Sequence, residues 1–146
     1  MRRFVITATV FTIVGLGAAT IAQTKITTAE DYEKIMKAAV SGFQGANKAV
    51  ASGALADAKT QLAMARSNFV ILQDFWSSGK TADAASLMKD LLTNLDAADK
   101  GLSAPTPDAA AVQASLKMAQ ASCGSCHKIY REGDAQTGYK IKAGVL

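Results

Sequence analysis

The feature that most constrains the fold of this chain is a run of apolar residues spaced alternately three and four positions apart. The run comprises Leu55, Ala58, Leu62, Ala65, Phe69, Leu72 and Trp76. Residues at this spacing share one face of an α-helix, so the segment predicts a long helix with a single apolar seam. Such a seam packs against neighbouring helices with a left-handed twist. Gly79 is the expected end of this helix.

Three further segments show the helical period, and each starts at a capping signal. The first begins near Thr27 or Thr28, because residues 27–30 fit a capping box. The third begins at Thr81, and the fourth at Thr106 with Pro107 in its first turn. Their apolar stripes comprise Ile35, Ala39, Phe43, Ala46 and Val50; Leu87, Leu91, Leu95, Ala98 and Leu102; and Val112, Leu116 and Ala119.

Four amphipathic helices of about 20–25 residues joined by short turns predict an all-α fold, an antiparallel up-down-up-down four-helix bundle. We find no alternation typical of strands, and from about residue 133 the pattern fades into a short polar tail. A longer helical hairpin that dimerises remains an alternative, because the seam of the second helix would serve a homodimer as well as a monomer core.

The N-terminal residues predict a secretory signal peptide, residues 1–22. A basic start is followed by an uncharged apolar run over residues 4–16 and by small residues before Gln23. The rival interpretation is a membrane anchor, but the run is shorter than the ~20 residues that a spanning helix needs. We therefore expect residues 23–146 to form one exported domain without stable membrane insertion, and we expect a periplasmic location.

The charge balance argues against a nucleic-acid partner. The full chain has 16 basic and 12 acidic residues, and loss of Arg2 and Arg3 with the signal would leave a net charge of +2. No basic cluster is present in the remaining sequence, whereas nucleic-acid binding normally needs one.

Both cysteines and the only histidine lie within five residues, as Cys123-Gly-Ser-Cys126-His127. Cys-x-x-Cys-His is the attachment signature of c-type haem. On a helix, positions three and four apart share a face, so both thiols can reach vinyl groups of one porphyrin while His127 is presented to the iron. The motif predicts one haem c, held through two thioethers to Cys123 and Cys126, with His127 as the proximal iron ligand.

Three other roles fit these residues less well. A redox-active disulfide of the thioredoxin type normally lies at the start of a helix that follows a strand, whereas this motif lies deep in a helical segment. A structural zinc site lacks a fourth cysteine or histidine ligand. A structural disulfide between adjacent helical turns would close a very small loop and contribute little stability.

A helical chain with this motif near the end of its last helix resembles cytochrome c′ and the related low-spin class II cytochromes c. The resemblance covers residues 23 to about 132, and it rests on the late position of the motif, because small class I cytochromes carry it near the start. The family has a basic residue four positions after the histidine, and Arg131 matches. The resemblance implies that Arg131 lies near the imidazole or a haem propionate; a solvated arginine at a helix end is the alternative.

The sixth coordination position of the iron separates two functions. Low-spin members of the family have a Met-Lys pair about two turns into the first helix, and Met36-Lys37 occupies that place. The resemblance implies that Met36 is the distal iron ligand, although a methionine on a helical stripe is usually core filler. If Met36 is not the ligand, we expect Val40 over an open iron face. Many members also have a basic residue early in the first helix that meets a propionate; here only Lys34 or Lys37 is available.

The sequence therefore predicts a periplasmic electron carrier that is not an enzyme and that meets its periplasmic redox partners transiently. The alternative within the family is a five-coordinate, high-spin cytochrome c′ that binds NO or CO. A helical module without haem, with a structural or redox role, is the third hypothesis.

Overall fold

The computed structural model describes residues 25–79, 81–134 and 136–145, and it consists of four helices followed by a small β-hairpin. The elements are α1 (Ala29–Ala51), α2 (Leu55–Ser78), α3 (Ala82–Leu102), α4 (Ala109–Tyr130), β1 (Arg131–Asp134) and β2 (Gly138–Ile141). The predicted all-α four-helix bundle is confirmed. The predicted signal peptide, residues 1–22, lies outside the described residues.

Each helix packs on its neighbour in the sequence, and α1 also packs on α4, which closes the bundle. The connections between helices are short, so consecutive helices run antiparallel. The predicted seam of α2 faces the core: Leu55 is half-buried, and the other six residues of the seam are buried. The core is apolar throughout, and no polar or charged residue in the described part of the chain is fully buried.

Two helix starts differ from the sequence-based expectation. The capping box of α1 is formed by Thr28 and Asp31, one residue later than residues 27–30, although Thr27 also donates to the Asp31 carboxylate. The N-cap of α4 is Asp108 and not Thr106: its carboxylate accepts from the backbone N–H groups of Ala110 and Ala111 at 2.9 and 3.1 Å. A carboxylate caps a helix as well as a hydroxyl does, so Asp108 can take this role in place of Thr106. Gly79 follows α2 as expected.

The C-terminal segment is a hairpin and not the plain polar tail that we expected. β1 pairs antiparallel with β2, from Arg131 opposite Ile141 to Asp134 opposite Gly138. Gly133 and Gly138 both have a φ of +82°, which an L side chain adopts only with strain. β2 contacts α1, and Ile141 packs against the core. The hairpin thus returns the chain from the end of α4 to the first helix.

None of the helices in the described ranges is long and apolar enough to cross a membrane.

Candidate functional site

The three residues of the Cys-x-x-Cys-His motif lie in the last two turns of α4, which continues unbroken to Tyr130. Both cysteines are free thiols. Cys126 is buried, with 7% of its surface exposed, and Cys123 and His127 are half-buried. Because positions 123, 126 and 127 are three and four residues apart on a regular helix, their side chains share one side of α4. The structure thus brings together the three residues that the motif singled out.

Both thiols of the motif have raised pKa values. Burial raises the pKa of Cys123 to about 11. Burial also raises the pKa of Cys126, and the charge of the nearby Asp83 carboxylate adds to the effect. Both groups are therefore protonated at neutral pH. This is the opposite of the lowered pKa that activates a disulfide oxidoreductase, so the structure gives no support to that alternative.

The imidazole of His127 is electrically neutral in this setting. Its pKa is lowered first by burial and second by the positive charge of Arg131. A neutral imidazole keeps a nitrogen lone pair, which a metal ligand requires. The guanidinium of Arg131 also stacks on Tyr139 of β2, with 4.0 Å between Cζ and the ring centroid. Arg131 thus acts electrostatically on His127 and also contacts the hairpin, and its predicted role beside the imidazole or a haem propionate stays a prediction.

Four aromatic side chains from three helices form a cluster beside the thiols, which we call the aromatic cluster. It consists of Tyr32, Phe75, Trp76 and Tyr130. Trp76 is its centre: its ring centroid lies 5.9 Å from that of Tyr32, 5.2 Å from that of Phe75 and 4.9 Å from that of Tyr130. Burial raises the pKa of Tyr32, and Cys126 contributes to the same shift. The Cys126 thiol is therefore close enough to Tyr32 to act on it electrostatically.

The polar atoms of the aromatic cluster differ in whether they have a hydrogen-bond partner. The Tyr130 hydroxyl donates a hydrogen bond to the carboxylate of Asp83 at the start of α3. By contrast, the buried indole Nε1 of Trp76 has no hydrogen-bond partner in the described part of the chain. The nearby indole N–H lowers the pKa of Tyr32 and so partly offsets the rise caused by burial. The contact between the indole N–H and the Tyr32 hydroxyl does not meet hydrogen-bond geometry. A buried unpaired N–H is costly unless a ligand or water accepts from it.

Met36 lies on α1, one turn after Tyr32, and is half-buried against the core. Positions 32 and 36 share a helix face, so Met36 is on the side of α1 that carries the aromatic cluster. Two of the other methionines are on the surface, Met64 at 44% and Met118 at 60% exposure. Lys37 is exposed and pairs with Glu33 on the same helix at 2.6 Å. Met88, the fourth methionine in the described part of the chain, is buried in the core, and the role of Met36 as distal ligand stays a prediction.

The sequence did not identify Tyr32, Phe75 or Asp83 as neighbours of the motif. No periodicity could have linked them to the motif, because they approach it across helix packing. A polar aromatic residue on a buried stripe, as Tyr32 is, was the one available signal.

Comparison with protein-family models finds none that matches the chain, and comparisons with curated proteins and with solved structures find no match either. The fold and the site therefore define a class of protein, a four-helix bundle with a Cys-x-x-Cys-His motif near the end of its last helix. They do not assign the chain to a family.

The donor set fits the attachment of a haem better than it fits a bare metal ion. Two protonated thiols and a neutral imidazole on one helix side are the groups that thioether formation and iron ligation need. Among residues 25–79, 81–134 and 136–145, no group of three or more His, Cys, Asp or Glu side chains is arranged to hold a metal ion. Cys126 itself is buried among apolar residues of the core.

Proposed function

We propose that this chain is an exported c-type cytochrome that carries single electrons. The observation that carries the proposal is the placement of two free thiols and a neutral imidazole on one side of the last two turns of α4. Cys123 and Cys126 would hold one haem c through thioethers, and His127 would ligate its iron. When bound, the haem supplies reversible one-electron chemistry at its iron.

The polypeptide contributes orientation and a dry environment. A rigid helix that presents both anchors and the histidine fixes the angle of the imidazole relative to the anchoring points. Burial beside Trp76 and Tyr32 lowers the local dielectric constant, which is one of the means by which a protein sets a reduction potential. Arg131 keeps a positive charge near His127, which disfavours protonation of the imidazole.

Met36 is the proposed distal ligand, which would make the iron six-coordinate and low-spin. Its support is its half-buried position on the face of α1 that also carries Tyr32. A thioether in this position raises the reduction potential and favours electron transfer. The partners would then be periplasmic redox proteins, met through small contacts that exchange quickly. No bond in a substrate is made or broken in this function, so the chain would not act as an enzyme.

The second candidate is a five-coordinate haem that binds NO or CO. Val40, one turn beyond Met36 on α1, is half-buried as well. If Val40 and not Met36 faced the iron, an apolar side chain would leave a coordination position for a small gas. The two candidates share Cys123, Cys126 and His127 and differ only at the distal position.

Production of the chain in cells with and without haem-attachment machinery tests the proposal. With the machinery, we expect a Soret band that survives denaturation, and a pyridine haemochrome spectrum of a haem attached through two thioethers. Cys123→Ser and Cys126→Ser should each shift that spectrum to a single attachment, whereas Ser125→Ala, an exposed change between them, should leave it unaltered. Absence of a Soret band in the presence of the machinery would overturn both haem functions.

A further inference from the structure

Trp76 is the only tryptophan of the chain, and it is the contact point of the aromatic cluster. Only 1% of its surface is exposed, so solvent cannot reach the indole directly. Of its three aromatic neighbours, Phe75 is very hard to oxidise, while Tyr32 and Tyr130 are phenols that can lose an electron together with a proton. If Trp76 is oxidised by one electron, either of the two tyrosines can therefore reduce it.

The two tyrosines differ in what their hydroxyl groups can do with the proton. The Tyr130 hydroxyl donates to Oδ1 of Asp83, whose side chain is exposed to solvent. The Tyr32 hydroxyl is buried, and in the described residues its electrostatic neighbours are the Trp76 indole and the Cys126 thiol. Neither of these accepts a proton readily. The ring of Tyr130 is also the nearer of the two to Trp76, at 4.9 Å against 5.9 Å between centroids.

We propose that Tyr130 is a redox-active tyrosine that supplies an electron to oxidised Trp76 and passes its phenolic proton to Asp83. This role requires only the polypeptide contacts described above, so it stands or falls separately from haem attachment. It adds an activity at the junction of α2, α3 and α4 that the electron-carrier function does not require.

The full cycle needs one external one-electron oxidant and one external one-electron reductant. A one-electron oxidant at the protein surface first takes an electron from the buried Trp76 without contact, by electron transfer across the side chains packed around it, and leaves the indole radical cation. Tyr130 then transfers one electron to that radical cation, which restores neutral tryptophan. The O–H bond of Tyr130 breaks, its proton joins the Asp83 carboxylate, and a neutral tyrosyl radical remains. A one-electron organic reductant such as ascorbate returns the electron, and the proton of Asp83 returns to the phenolate oxygen.

The hydrogen bond to Asp83 is what makes the transfer favourable. A phenol that is oxidised before it loses its proton becomes a strongly acidic, high-energy radical cation. A carboxylate already in hydrogen-bond contact takes the proton as the electron leaves, so this species is avoided. In the resting state the same bond raises the pKa of Tyr130 to about 12 and lowers that of Asp83, which keeps the proton on the phenol until oxidation occurs.

The geometry gives this exchange a direction from the interior to the surface. Trp76 is at the interior end, buried in the core and packed against Tyr32 and Tyr130. Asp83 is at the solvent end of the path. An oxidising equivalent that reached the buried indole would thus be moved outward to a site that soluble reductants can reach, and the buried residues would be spared from permanent oxidation.

Pulse radiolysis with azide radicals, which oxidise tryptophan by one electron, tests the proposal on the full chain. The parent for all measurements is Tyr139→Phe, because Tyr139 is exposed and would be oxidised directly. We expect the tryptophan radical absorption to decay as a tyrosyl signal rises, at a rate independent of protein concentration. In Tyr130→Phe the tyrosyl signal should be lost and the tryptophan radical should persist. In Tyr32→Phe both should behave as in the parent.

Asp83→Asn keeps the size of the side chain but removes the proton-accepting carboxylate, so the transfer should become several-fold slower. An unchanged rate would overturn the role of Asp83. A tyrosyl signal that survives Tyr130→Phe, or one that is lost in Tyr32→Phe instead, would overturn the role of Tyr130. Circular dichroism verifies the helix content of each variant. Freeze-quench electron paramagnetic resonance on the haem-loaded chain applies the same criteria if the haem-free chain does not fold.

Discussion

The backbone of Gly42 in α1 lies directly against the backbone of Ala65 in α2. A Cβ atom placed on Gly42 would lie 2.8 Å from the amide nitrogen of Ala65 and 2.9 Å from the carbonyl oxygen of Gln61. Both atoms belong to the main chain of a helix, so neither can move without shifting α2. The closest approach of α1 and α2 therefore depends on the absence of a side chain at position 42.

Gly42→Ala should destabilise the fold despite the better helix propensity of alanine. Overpacking of a tight contact costs about 1–3 kcal/mol, while the replacement of a mid-helix glycine by alanine returns only about 1 kcal/mol. Gly124→Ala is the matched control, since Gly124 is also inside a helix but a Cβ there meets nothing within 4 Å. Urea unfolding should show a lower midpoint for the first variant and a higher one for the second. Equal gains in both would contradict the contact.

The start of α4 gives a second test, because sequence and structure name different caps. Asp108→Ala removes a carboxylate that accepts from two backbone N–H groups and should cost about 1 kcal/mol of unfolding free energy. Thr106→Ala should be close to neutral, since Thr106 lies outside the helix and is exposed. Thermal unfolding of the two variants side by side decides the point. A larger loss from Thr106→Ala would restore the cap that the sequence favoured.

The distal position of the proposed haem is tested by Met36→Ala. If Met36 ligates the iron, its removal should turn a low-spin spectrum into a high-spin spectrum that changes when CO is added, and should lower the reduction potential. Met118→Ala is the control, since that side chain is 60% exposed. A spectrum that is already high-spin in the parent, or that stays low-spin in Met36→Ala, would remove Met36 from the iron.

The burial of Cys123 predicts a measurable pH dependence in the chain without haem. The folded state raises the pKa of this thiol from 9.0 to about 11, so the thiolate fraction at pH 8 falls about a hundredfold, and iodoacetamide should react correspondingly slowly until denaturant is added. Above pH 9 the unfolded chain loses this proton before the folded chain does. The contribution of Cys123 to the unfolding free energy should therefore be constant well below pH 9 and should decrease towards pH 11.

Cys123→Ser should make the decrease of unfolding free energy at alkaline pH smaller. If the unfolding free energy of the variant falls with pH as steeply as that of the parent, the effect belongs to other groups. Reaction at the same rate in native and denaturing buffer would show that the thiol is not protected by the fold.

The helices were predictable because their signals are local. The 3–4 spacing of α2 identified its buried face, and Gly79 its end. The motif at the end of α4 was predictable for the same reason, since all three residues lie within two turns. The caps were predicted only to within one or two residues, because Thr27 competes with Thr28, and Thr106 with Asp108, for the same role.

The hairpin and the aromatic cluster could not be predicted in this way. The side chains of β1 are all exposed, so no apolar alternation marks it as a strand, and its turn depends on two glycines at positive φ. The aromatic cluster brings together residues that are as far apart in the sequence as positions 32 and 130. Only the packing of the helices brings their side chains into contact. The pairing of Tyr130 with Asp83 has the same origin.

The enclosure of Cys126 imposes an order of events on any chemistry at its thiol. The residue is 7% exposed, and after α4 the chain is fastened back by the hairpin, where the Lys142 N–H donates to the Tyr130 carbonyl at 2.9 Å. A large reagent cannot enter a packed bundle at that point without opening it. If the proposed haem is attached at Cys126, its attachment would therefore precede the docking of the last helix, and folding would then enclose it.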